Sequence, residues 1–127
     1  MITINDVIAY IRPNSSWVIE DFDYDTLIWD SEEPKPTLQE INDAWPDAEI
    51  FYKRDRAVLS RADFKLALLE AGYLQDVKDF IASTTDERII ILWEDSNSFR
   101  RLHPDLIRLA EELGYTEEQL DALFGIA

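Results

Sequence analysis

An α+β fold, mostly helices with one tryptophan-bearing hairpin, is what this 127-residue sequence predicts. Three observations point there. Capping signals followed by apolar stripes at helical spacing recur along the chain. Two short β-branched and aromatic runs, Trp17-Val18-Ile19 and Leu27-Ile28-Trp29, flank an acidic loop as hairpin strands do. Apolar residues make up 46% of the chain and aromatics 12%, enough to bury a core in one domain or two small pieces.

The elements follow in order. Thr3-Ile4-Asn5-Asp6 has the capping-box layout, with Asp in place of the usual Glu; Val7, Ile8 and Ile11 then form a helical stripe that stops before Pro13. After the Asn14-Ser15-Ser16 turn the hairpin begins, with residues 21–25 as its loop. Alternation places Trp17 and Ile19 on the same face as Leu27 and Trp29. A lone hairpin is marginal in water, so this one must pack on a helix or on another chain. Glu33-Pro34-Lys35-Pro36 reads as a stiff, extended connector. Thr37 and Glu40 form a capping box for a short helix bearing Leu38, Ile41 and Trp45, which Pro46 ends. Residues 48–52 read either as a third strand or as a linker between halves. The division is thus an acidic helix-hairpin-helix part, 1–52, and a second part, 53–127.

The second part reads as a compact all-helical half of about four to five helices. One starts at Ser60-Arg61-Ala62-Asp63, runs through Phe64, Ala67, Leu68 and Ala71, and stops at Gly72. The next spans 74–82, with Val77, Phe80 and Ile81 inward. Thr85 caps a third, in which Ile89, Leu92, Trp93, Ser96 and Phe99 keep helical spacing, although residues 89–93 also suit a buried strand. A fourth runs from Pro104 to Leu113 and stops at Gly114. Thr116 and Gln119 cap the last, through Leu120, Leu123 and Phe124. The apolar end, residues 120–127, is expected to fold back on the preceding helices; the other reading inserts it in a partner's groove.

Composition excludes much chemistry. One histidine, no cysteine and three glycines leave few groups for nucleophiles, proton shuttles or phosphate loops. With 27 acids against 12 bases the formal charge is −15, which repels nucleic acid and anionic lipid. Residues 1–52 hold 12 acids and 2 bases, net −10, and residues 53–127 hold 15 and 10, net −5. The first part is therefore the natural face for a basic partner. The basic spots Lys53-Arg54-Asp55-Arg56 and Arg100-Arg101 read as solvated surface. No apolar stretch approaches 18 residues and no basic-then-apolar leader opens the chain, so neither a membrane span nor export is expected, and synthesis and folding are expected in the cytoplasm.

Four local patterns invite a site. From Asp21 to Glu32, the carboxylates Asp21, Asp23, Asp25 and Glu32 match the oxygen-ligand spacing of an EF-hand calcium loop. Thr26 stands where that loop turns on glycine, however, and Pro13, Pro34 and Pro36 limit the flanking helices. An acidic hairpin loop explains the same residues by ordinary turn chemistry. His103, just before Pro104, suits a helix cap or the surface better than catalysis. Acid pairs such as Glu94-Asp95 and Glu111-Glu112 point different ways on a helix. The helix-stop-helix over 60–82 carries Asp76, Lys78 and Asp79 on its second helix, a poor set for DNA phosphates. Trp93 reads as core, whereas Trp17 and Trp29 suit either a core or a docking surface.

Two stretches carry a resemblance. Tyr10-Ile11-Arg12-Pro13 with Trp17, then Leu27-x-Trp29 and Pro34-Lys35-Pro36-Thr37-Leu38-Gln39-Glu40-Ile41 ending at Trp45, resembles small proteins of phage and prophage tail modules, the prophage XkdW-type family among them. Leu59-Ser60-Arg61-x-x-Phe64-x-Leu66-Ala67-Leu68, Ile91-x-Trp93-Glu94, Phe99-x-Arg101, His103-Pro104 and Gln119-Leu120-Asp121-x-Leu123-Phe124 are similar to a second group of short phage proteins encoded beside tail-fibre or baseplate genes. Residues 47–58 fit neither group. The resemblance implies a phage origin and a place in the tail or in building it, and it carries no catalytic residue and no cofactor.

The expectation is therefore a non-enzymatic tail protein that docks on fibre or baseplate proteins, made in the host cytoplasm and resident in the virion tail. Trp17, Trp29, Pro34, Pro36 and Thr37 are the contact candidates. A fibre-assembly chaperone absent from the finished particle is the runner-up, and a calcium-dependent module using the Asp21–Glu32 loop is a third reading. Homo-oligomers are left open.

Overall fold

A computed structural model of the chain describes residues 1–126; Ala127, the last residue of the apolar C-terminal run, lies outside the described residues. The fold is α+β, and its contacts divide it into two compact units, Met1–Tyr52 and Lys53–Ala127.

The first unit begins with α1 (Ile4–Ile11), where the Asp6 carboxylate accepts from the Thr3 backbone N–H at 2.8 Å and hydroxyl at 3.3 Å. Two-residue strands β1 (Trp17–Val18) and β2 (Ile28–Trp29) pair antiparallel, Trp17 opposite Trp29 and Val18 opposite Ile28. Next comes α2 (Leu38–Arg56), with the Thr37 hydroxyl accepting from the Glu40 N–H at 3.0 Å. Ile2, Ile4, Val7, Ile8, Leu27, Ile41 and Ala48 form this unit's core.

Here the structure corrects the expected end at Pro46: α2 runs straight through it, so residues 48–52 are helix, neither strand nor linker. Proline in a helix interior leaves one carbonyl unpaired and costs about 3 kcal/mol. What outweighs that cost is the apolar stripe of Ile41, Trp45, Ala48 and Tyr52, which continues at helical spacing on both sides of Pro46 and packs on the core. The Tyr52 hydroxyl also donates to the Asp6 carbonyl at 2.9 Å.

The second unit holds five helices, α3 (Arg61–Ala71), α4 (Leu74–Ser83), α5 (Glu87–Asp95), α6 (Pro104–Glu112) and α7 (Glu117–Leu123). Its caps follow sequence: Ser60 for α3, Thr116 with Gln119 for α7, and stops at Gly72 and Gly114 with φ of 83° and 77°. Asp86, not Thr85, caps α5, accepting from the N–H groups of Arg88 and Ile89. Leu120 and Leu123 are buried in the core with Phe124 against it, so the described part of the C-terminal run folds back.

This half is also not purely helical. Strands β3 (Val58–Ser60) and β4 (Ser98–Arg100) pair antiparallel, Leu59 opposite Phe99. Phe99 is therefore buried from a strand, not from an extended α5, which ends at Asp95. Its seven-residue spacing from Leu92 suits a helix, but the backbone of β3 supplies the ladder that makes it a strand. Strand alternation then sends Phe99 and Arg101 inward and Arg100 outward.

That alternation overturns the reading of Arg101 as solvated, and a shared acid partner does the same for Arg54. Arg101 is 1% exposed, and its Nε donates to Asp121 Oδ1 at 2.8 Å. Arg54, in the last turn of α2, grips the same carboxylate with Nε at 2.9 Å and Nη2 at 2.8 Å. Glu117 Oε2 stands 3.5 Å from Arg54 Nη1. Burial pushes the Asp121 carboxyl up, but the hydrogen bonds and charges of Arg54 and Arg101 prevail and hold it below its ordinary value of 3.8.

Three outcomes are expected. Asp121→Ala should cost about 3–5 kcal/mol in urea unfolding, because it leaves the Arg101 charge buried without its partner. Since the folded-state pKa is depressed, the contribution of Asp121 is complete above its ordinary value and disappears as pH falls through the lower folded one. Asp121→Asn should therefore flatten the acid limb of stability below about pH 4. Pro46→Ala should raise stability by about 1–3 kcal/mol by restoring the missing helix bond.

Candidate functional site

The hairpin has two unlike faces, and both are apolar. On the inner face, Trp17, Ile19, Leu27 and Trp29 pack on the first unit's core. The two indoles stack with centroids 6.1 Å apart and planes 17° from parallel. Each is half-buried with its N–H satisfied: Trp17 donates to Asn5 Oδ1 at 3.1 Å and Trp29 to the Glu33 carbonyl at 2.6 Å. The two tryptophan candidates therefore chiefly anchor the hairpin to α1 and to the connector.

The connector is likewise tied down. Pro36 is fully buried, which removes it from any contact surface. Its carbonyl accepts from the Tyr24 hydroxyl at 2.7 Å, while Lys35 Nζ sits 5.2 Å above the Tyr24 ring. Arg12 donates from Nε to the Pro34 carbonyl at 3.1 Å and from Nη2 to Glu40 Oε2 at 3.0 Å. The Arg12 hydrogen bond, foremost among the causes, holds the Glu40 carboxyl below the usual carboxylate range. Pro34 and Thr37 remain exposed at the edges of this strap.

The outer face went unread in the sequence. Val18 is 61% exposed and its cross-strand partner Ile28 65%, and Phe22 in the loop is 60% exposed. A signal was present: Val18 and Ile28 alternate with Trp17 and Trp29, and a hairpin apolar on both faces cannot bury both against one core. Glu20, Asp21, Asp23, Asp25 and Asp30 are exposed along the same hairpin.

The loop holds an unusual backbone. Asp21 and Phe22 have φ of 49° and 61°. Aspartate tolerates this left-handed region; a bulky aromatic rarely enters it. Thr26 fixes the shape, accepting from the Glu20 N–H at 2.9 Å and donating to the Asp23 carbonyl at 2.7 Å. The residue that breaks the calcium-loop pattern is thus the one that closes this loop. Asp23 Oδ1 accepts from the Asp25 N–H at 3.0 Å, capping a short 3-10 turn over Tyr24–Thr26. Among the described residues no three of His, Asp or Glu gather to hold a metal, those of Asp21–Glu32 included.

His103 caps α6, its Nδ1 accepting from the Asp105 N–H at 3.1 Å. Ser96, His103 and Asp105 do border one groove of 260 Å³ with Arg88, Ile91 and Leu92. They do not form a relay: Nδ1 is engaged by backbone, and the Asp105 carboxylate pairs with Arg88 at 3.4 Å and Arg108 at 3.1 Å. Arg108 also binds Asp86, the cap of α5, so these charges join α5 to α6. No helix among the described residues is long and apolar enough to cross a membrane.

The chain matches no family model, no curated protein and no solved structure. The tail-module resemblance rests on the motifs quoted above.

Trp29→Ala should lower the folding free energy by about 2–3 kcal/mol, somewhat less than a fully buried tryptophan, because a half-buried ring and its stack are lost. A melting temperature within a degree or so of wild type would place the ring outside the packed unit.

Proposed function

We propose that this chain is a non-enzymatic docking component of a phage tail, binding a fibre or baseplate protein through the outer face of its hairpin. One observation supports the reading above the rest: Val18, Phe22 and Ile28 stand in solvent on a hairpin whose loop backbone is held in a conformation that phenylalanine avoids. Strain retained in a well-tied loop marks functional segments, and exposed apolar clusters rimmed by charge mark interfaces. The carboxylates around it, in a unit of net charge −10, favour a basic partner surface and speed its encounter. The tail assignment comes from the resemblance, and Trp17 and Trp29 serve it by holding the hairpin's shape.

The test pairs a variant with purified particles. Val18→Ser/Phe22→Ser/Ile28→Ser should melt like wild type yet lose capture of the neighbouring fibre or baseplate protein by at least about tenfold. Undiminished capture would refute the hairpin reading. Mass spectrometry of virions then separates roles: stoichiometric presence supports the structural component, and absence moves the function to an assembly chaperone.

A further inference from the structure

The second unit carries a surface of opposite character. Arg61 and Lys65 of α3, Lys78 and Ile81 of α4 and Trp93 of α5 line one groove of 430 Å³, together with Ala82 and Glu94. In a chain of 27 acids and 12 bases, cations should find carboxylates easily. Arg12, Arg54, Arg88, Arg101 and Arg108 do. Among the described residues the other seven bases form no ion pair; Arg61, Lys65 and Lys78 differ from the remaining four in lining one groove together, none of them paired with its Glu94 carboxylate. Arg61 spends Nε and Nη2 on the Ser96 and Glu94 carbonyls at 2.7 Å each, closing the C-terminal end of α5. Three of the five guanidinium N–H bonds are left over. Lys65 Nζ lies 4.9 Å over the Trp93 ring, and Lys78 is exposed.

Clustering three unpaired cations costs electrostatic energy that scattering them among the surplus acids would avoid. We infer that the groove is a docking site for an acidic peptide segment of a partner protein, its carboxylates on Lys65, Lys78 and Arg61 and an apolar side chain between them against Ile81 and Trp93. Charge complementarity selects the occupant. An extended nucleic acid or an anionic membrane meets the repulsion of the whole −15 chain. A small free anion gains little in an open, salt-screened groove. A short peptide keeps its charges local and adds apolar contact in a volume suited to a few side chains, within the range of about 300–1,000 Å³ common to binding pockets. The site is independent of the hairpin.

The probe is a fluorescein-labelled hexapeptide alternating glutamate and leucine, titrated against the full chain by fluorescence polarisation. A dissociation constant on the order of 100 µM is expected, a weak contact of the kind short segments make. Lys65→Glu/Lys78→Glu should weaken it by at least about tenfold with unchanged melting. The milder Lys65→Gln/Lys78→Gln pair reads the same loss if charge reversal disturbs folding. A glutamate–serine peptide should bind more weakly, because it lacks the apolar residue. No binding at about 1 mM, binding by both variants as tight as by wild type, or displacement by an equal concentration of inorganic phosphate would overturn the site. Sedimentation showing a wild-type dimer that the variants dissociate would also overturn it, by making a second copy the occupant.

Discussion

The second unit depends on one carboxylate. Asp121 sits between Arg54 and Arg101, three residues from the end of a helix, a strand edge and the last helix, far apart in sequence. Burying the charge of Arg101 is costly by itself, and the geometry offsets the cost because both carboxylate oxygens accept and one arginine binds in fork fashion. Two guanidiniums face one buried acid, and Glu117 beside Arg54 moderates the excess. An ion pair of this kind selects as much as it stabilises. Seating α7 anywhere else leaves Arg101 buried and unpaired, so the last helix has one acceptable place on the strand.

In the first unit the corresponding constraint is apolar. The stacked indoles of Trp17 and Trp29 hold a hairpin with only two residues in each strand, too short to persist alone. Stiffness gained on the inner face is passed to the outer one, because strand alternation ties the two faces together. Val18 and Ile28 are thereby presented in fixed register, and Thr26 keeps Phe22 at the tip. A preorganised apolar surface loses little conformational freedom when a partner covers it.

The two units thus offer surfaces of opposite sign, an acid-rimmed apolar hairpin and a cationic groove beside Trp93.

How much of this was written in the sequence depends on the range of the interaction. Capping boxes and glycine stops were legible at Thr3, Thr37, Ser60, Gly72, Gly114 and Thr116, since each involves neighbours within a few residues. Composition alone indicated the acid asymmetry. The continuation of α2 through Pro46, the strand at Phe99 and the burial of Arg101 were decided by tertiary contacts. Local propensity ranks a proline or an arginine by its own preferences, whereas packing ranks it by what would be left uncovered if it moved. For the same reason the exposure of Val18 and Ile28 was not legible: sequence shows which side chains share a face, and only the core against which the hairpin lies determines which face remains in water.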